Sequence, residues 1–118
     1  MTDDLDEDGH PTDAALAKIE SFSYKDDYND LMQYIKSMWW MPSFGWRQSE
    51  PVVDFYTPLS GKMSKRTKTR YTLSTGGWSG NESIMHSLQQ NKLFWSTCWV
   101  SSCRGGHYEL EIVNVIIM

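Results

Sequence analysis

The chain has 118 residues, of which 40% are hydrophobic and 22% charged. That is one domain at about 100–200 residues each, with an ordinary globular composition. It excludes a wholly disordered chain, a collagen-like repeat and a disulfide miniprotein. The formal net charge of −4 hides an asymmetry: residues 1–30 hold ten acids and two bases, residues 31–118 five acids and nine bases. An acidic arm on a mildly basic body is expected. Six Trp, six Tyr and four Phe are more rings than one small core uses, so some should line a surface or pocket.

Residues 1–11, with Asp3, Asp4, Asp6, Glu7 and Asp8 close together, read as an acidic disordered tail; residues 12–118 read as a single α+β domain. The sharper reading of the acids is an arm that covers the basic surface or mimics nucleic-acid charge. The N-terminus lacks the apolar core of a signal peptide, and no apolar run approaches the length of a membrane span.

Thr12 or Asp13 can cap a first helix over 13–22, with Ala15, Ile19 and Phe22 on one stripe. A second helix over 27–40, capped at Asp26 or Asp27, carries Tyr28, Leu31, Ile35, Met38 and Trp39 at helical spacing and ends at Trp40-Met41-Pro42. Ser43–Trp46 is a turn or short strand. Val52–Thr57, bounded by Pro51 and Pro58, is a strand whose apolar run suits burial on both faces. Residues 58–66 form a loop with Ser60-Gly61 as its turn. Thr67–Thr75 alternates: Thr69, Tyr71, Leu73 and Thr75 face one way, Arg70, Thr72 and Ser74 the other.

The glycine loop Gly76-Gly77-Trp78-Ser79-Gly80-Asn81 follows. Ser79-x-x-Glu82 has the capping-box pattern for a helix over 82–91, with Ile84, Met85 and Leu88 on its apolar face and Asn91 as its stop. Leu93–Ser102 reads as a strand, Arg104-Gly105-Gly106 as a hairpin turn, and His107–Ile117 as the final strand. The fold expected is α+β: an antiparallel or mixed sheet of about four strands, two N-terminal helices, and one helix packed on the sheet.

Cys98 and Cys103 lie about 16 Å apart on an extended strand, too far for a disulfide, which needs Cα atoms within about 7 Å. Free thiols in a reducing compartment are expected. No Cys/His spacing suggests a metal site, and no cofactor is implied.

The strongest functional signal is the strand–glycine loop–helix passage. Glycines let a ligand approach free N–H groups at a helix N-terminus, which suits phosphate or carboxylate. The passage matches neither the Walker nor the dinucleotide pattern. Gly76, Gly77, Trp78, Ser79, Gly80, Asn81 and Glu82 are the candidate ligand residues, with Trp78 stacking on a flat ring. Glu82 would repel an anion but could accept from a sugar hydroxyl or base edge. Arg104 and His107 add a guanidinium fork and a titratable ring. If both motifs lie at one sheet edge, they converge. Glu82 and His86 stand one helical turn apart and could form an acid–base couple. Trp95 and Trp99 would share a strand face, as core or as binding face. Lys62, Lys65, Arg66, Lys68 and Arg70 form the one basic cluster, a candidate nucleic-acid track.

The block Ser74-Thr75-Gly76-Gly77-Trp78-Ser79-Gly80-Asn81-Glu82, then Phe94-Trp95, Trp99 and Arg104-Gly105-Gly106-His107-Tyr108, resembles a family of small uncharacterised bacteriophage proteins of the actinobacteriophage type. The resemblance covers roughly residues 70–112. It implies a phage accessory protein in the host cytoplasm, and that the two glycine motifs belong to one unit. The expected function is non-covalent binding of an anionic ligand, a nucleotide first among them, by the glycine loop and the Arg-Gly-Gly-His turn, a binder rather than an enzyme and able to sequester a host signal. The alternative is a protein-interaction module that inhibits a host or defence protein. An enzyme using His107, His86 or Glu82, and a nucleic-acid binder, rank below these; a homo-oligomer is a further expectation.

Overall fold

A computed structural model describes residues 4–59 and 61–117; Asp3 of the acidic cluster and Ser60 of the expected turn lie outside the described residues. The elements in chain order are α1 (Asp13–Ser21), α2 (Tyr28–Met38), α3 (Pro42–Gly45), β1 (Trp46–Gln48), β2 (Val52–Tyr56), β3 (Ser64–Ser74), α4 (Ser79–Gln90), α5 (Lys92–Cys98), β4 (Trp99–Cys103) and β5 (His107–Ile117). The fold is a single α+β domain. Among the described residues its sheet has five strands, one more than expected, and every pairing is antiparallel.

Local chemistry sets the helix starts. The Thr12 hydroxyl accepts from the Ala15 N–H, and the Asp27 carboxylate from the Asn29 N–H, each satisfying a donor that the first turn leaves free. α2 buries Leu31, Met32, Ile35 and Met38, the stripe its spacing predicts.

β3 is the central strand. β1 and β2 lie end to end along one side of it, and β5 pairs with it along the other for its whole length. The register Tyr71↔Leu110 and Thr69↔Ile112 puts these four buried residues on one face. That inner face carries the helices: Ala15, Ile19, Leu31, Ile35, Ile84, Leu88 and Phe94 pack with Tyr71, Leu73, Leu110 and Ile112 in one core. Full burial of such side chains contributes about 1.5–3 kcal/mol each. The opposite, outer face carries Arg66, Lys68, Arg70, Thr72 and Ser74, with the short α3 beside its Thr72–Ser74 end.

Two strand expectations are corrected. Val52 and Val53 are exposed rather than buried on both faces, because β2 is an edge strand that pairs with β3 alone. Pro51 and Pro58 on either side suit such an edge. Leu93–Cys98 is helix, not strand. The Asn91 side chain accepts from the Phe94 N–H and starts α5, which buries Phe94 and Cys98 four residues apart. The same Asn91 amide donates to the carbonyls of Ile19 and Phe22, tying α1 to this corner. Trp95 and Trp99 therefore stack across a helix end, centroids 6.4 Å apart, rather than along a strand.

The Tyr28 hydroxyl is buried with no hydrogen-bond partner among the described residues, its ring edge-on to Phe94. An unpaired buried hydroxyl costs about 1–3 kcal/mol. Tyr28→Phe keeps the ring and removes that cost, so its midpoint in urea denaturation should equal or exceed the parent's; a clear drop would mean the hydroxyl has a partner.

Candidate functional site

The glycine loop is a tight turn. Gly76 and Gly77 both have positive φ (64° and 75°), and the Trp78 N–H closes the turn onto the Thr75 carbonyl. Helix α4 starts earlier than expected, and the capping box does not form: the N-cap is Trp78, without a side-chain cap. The Glu82 carboxylate instead accepts from the Thr75 hydroxyl at 2.8 Å. Ser79 bonds to His10, Oγ to Nε2, at 2.8 Å.

The two glycine motifs do meet. The Thr75 N–H donates to the Gly106 carbonyl at 3.0 Å. A Cβ on Gly106 would stand 2.2 Å from Thr75 Oγ1 and 3.3 Å from the Glu82 carboxylate. Beside this contact, Ser74 Oγ and His107 Nδ1 are 2.7 Å apart across the β3–β5 pair. Which atom carries the proton follows the tautomer.

The start of α4, by contrast, is covered. Trp78 stacks with both His10 (4.8 Å) and Trp40 (5.1 Å), so its ring already has partners within the protein. Its indole also lies on Gly80, where a Cβ would meet Nε1 at 2.7 Å and Pro11 at 3.3 Å. Asn81 is buried and bonds to the backbone of Trp40 and Thr75. A ligand seated at Trp78, Ser79, Gly80 and Asn81 would have to displace the protein's own residues 10 and 11.

Those residues belong to the acidic segment, whose described part folds back on the body. The Asp6 carboxylate accepts from the N–H groups of Asp8 and His10. Asp4 accepts from the Tyr34 hydroxyl at 2.7 Å and lies 3.8 Å from the Lys18 ammonium. Burial and this carboxylate hold the Tyr34 phenol well above its usual range. These partners lie on α1 and α2, not on the basic cluster.

The basic cluster is largely neutralised. Arg66 makes a two-pronged pair with Asp54 (3.0 and 2.9 Å) and lies over the Tyr56 ring, while Lys68 stands 4.0 Å from the same carboxylate. The Arg66 hydrogen bond holds Asp54 below the usual carboxylate range. Arg70 bridges Glu109 and Glu111. Lys62 and Lys65 have no ion pair among the described residues, so the track offers two free cations rather than five. Glu82 and His86 are both exposed and form no pair there. Both cysteines are free; Cys98 is buried, which raises its thiol pKa, and Cys103 is exposed.

Sequence reasoning missed one region. A cavity of about 300 Å³ is lined by Phe44, Gly45, Arg47, Thr72 and Ser74. Arg47 lies opposite Thr72, and Ser74 opposite His107, all on the outer face. Arg47 has no acid partner among the described residues. Phe44 is 70% exposed and approaches Gly76, whose Cβ would stand 4.0 Å from Cε1. Of the expected ligand residues, Gly76 and His107 border this place. Arg104 is exposed on the neighbouring turn and is not part of the cavity lining. The strand alternation placed Ser74 and Thr72 on one face, but Arg47 joins them only through the β1–β3 register.

This arrangement supplies an exposed guanidinium, two hydroxyls and an exposed ring around an open recess. His107 holds the Ser74 hydroxyl, and no carboxylate orients the imidazole in turn among the described residues. The chemistry on offer is hydrogen bonding and charge pairing to an anion. Comparison with protein-family models, curated proteins and solved structures returns no match.

Proposed function

We propose that the domain binds a small anionic ligand without covalent chemistry, a nucleotide being the first candidate, in the recess between Phe44 and Ser74. The observation that carries this reading is an Arg47 with no acid partner among the described residues, beside the Ser74–His107 pair, with the Phe44 ring at its rim. Arg47 would hold a phosphate, Thr72 and Ser74 would add hydrogen bonds, and Phe44 would lie against a base. In the setting implied by the phage-protein resemblance, such a protein would sequester a host signalling nucleotide in the host cytoplasm.

Titration calorimetry with a panel of nucleotides tests it. One member should release heat, and Arg47→Ala should weaken binding about tenfold or more, the loss of about 1.5–3 kcal/mol expected for a charged hydrogen bond. Trp78→Ala and Arg104→Ala should have smaller effects. Absence of heat across the panel would refute the proposal. The alternative, a module that inhibits a host or defence protein, draws on the exposed Val52, Val53 and Phe55 of β2 and on Met63.

A further inference from the structure

A larger cavity, about 440 Å³, opens on the inner face of the sheet, within the about 300–1,000 Å³ usual for small-molecule sites. Its floor is β3, at Thr67, Thr69 and Tyr71, and its walls are the start of α2, the link from β1 to β2, and Asn114 of β5. Ser49 ties that link to the floor: its N–H donates to the Arg70 carbonyl, and its hydroxyl accepts from the Arg70 N–H.

Small-molecule sites are mostly apolar with a few polar groups. Here Pro51 is the one apolar lining residue. The charged lining groups are Asp27 and Glu50, with no base, so the cavity would repel an anion.

Hydrogen bonding narrows the choice further. The Trp46 indole can only donate, and it donates to Gln48 Oε1 at 3.1 Å; the Gln33 amide donates to the same oxygen at 3.3 Å. The Gln48 amide nitrogen is left as a donor. The Tyr71 hydroxyl donates to Asn29 Oδ1 at 2.7 Å, which leaves the Asn29 amide nitrogen as another. Asp27 Oδ1 accepts from the Asn29 N–H and the Asn114 amide, leaving Asp27 Oδ2 and Asn114 Oδ1 as acceptors. Thr69 is 5% exposed and lines the cavity, and its hydroxyl has no partner among the described residues. Buried polar groups normally have one.

Donors and acceptors therefore stand mixed around the cavity. An ammonium can only donate and would face the Asn29 and Gln48 amide nitrogens, whereas a hydroxyl donates and accepts. We propose that this cavity binds an uncharged polyhydroxylated ligand of the monosaccharide class. Its hydroxyls donate to Asp27 and Asn114 and accept from Asn29 and Gln48, and the deepest pairs with Thr69. The site shares no lining residue with the recess beside Arg47, so the two proposals stand or fall separately.

NMR titration of the isotope-labelled chain with glucose, galactose, mannose and ribose tests it. At least one sugar should shift the Asn29, Gln48 and Asn114 side-chain amides and the Thr69 backbone amide saturably. The affinity should not change with salt, since an uncharged ligand has no charge to screen. Thr69→Val keeps the shape of the side chain and should weaken binding about three- to tenfold. Its thermal midpoint should equal or exceed the parent's, which separates lost binding from lost folding. Spermidine and inorganic phosphate serve as charged comparisons. No saturable shift with any of the sugars would overturn the proposal. So would parent-like affinity in Thr69→Val, or salt-sensitive binding of spermidine at the same amides that is tighter than any sugar's.

Discussion

Gly45→Ala is expected to destabilise the domain by about 3 kcal/mol or more, at the upper end for overpacking. A Cβ at this position would stand 2.2 Å from the Ser74 carbonyl oxygen and 3.2 Å from the Trp39 indole nitrogen. The first of these is backbone of the central strand and cannot swing aside. Relief requires α3 and β1 to move away from β3, which also opens the recess that Phe44, Arg47 and Ser74 share. Gly61→Ala is the control. Nothing lies within 4 Å of its Cβ, and only the backbone conformation, φ +80°, opposes a side chain, a cost of about 1–2 kcal/mol. Urea denaturation of both variants measures the difference. If Gly45→Ala falls no further than Gly61→Ala, the close approach of α3 to β3 is wrong.

Asn81→Ala is expected to cost about 2–4 kcal/mol, the sum of several buried groups losing their partner. The Asn81 side chain is 1% exposed. Its amide donates to the carbonyls of Trp40 (3.1 Å) and Thr75 (3.2 Å), and its oxygen accepts from the Trp40 N–H at 2.9 Å. One side chain thus pins the segment after α2 to the glycine turn. Alanine would leave three backbone groups without that partner. Against a typical total stability of about 5–15 kcal/mol, this is a large fraction. Thermal and urea midpoints give the size. Calorimetry below the lowered midpoint separates the two roles assigned to Asn81: affinity per folded molecule should stay unchanged if the residue is structural, and fall if it touches the ligand.

Much of the local structure was legible in the residues. Thr12 and Asp27 cap helices because a short side-chain oxygen before an apolar stripe satisfies the first free N–H groups. The alternation of β3 assigned its inner and outer faces correctly, since side chains on a strand must alternate. The Gly105-Gly106 turn ties β4 to β5 because positive φ at adjacent positions is open to glycine at little cost. Each of these follows from a few neighbouring residues.

What remained was decided by partners distant in sequence. Leu93–Cys98 carries the aromatic and apolar residues of a strand, yet Asn91 starts a helix there, held by carbonyls of Ile19 and Phe22. Val52–Tyr56 looks like a buried strand and lies at an edge, because burial depends on which strand is its neighbour. Trp78 reads as a stacking platform, but His10 and Trp40, more than thirty residues away on its N-terminal side, already stack on it. Arg47 gives no signal of its own and meets Ser74 only through register. The sequence by itself determined the starts of α1 and α2, the Gly105-Gly106 turn, the two faces of β3 and the α+β class, because backbone sterics and nearest-neighbour hydrogen bonds act over a few residues. Which surface stays open and which cations lack an ion pair among the described residues were decided by the tertiary structure alone, because each depends on what the chain brings beside a residue from far away.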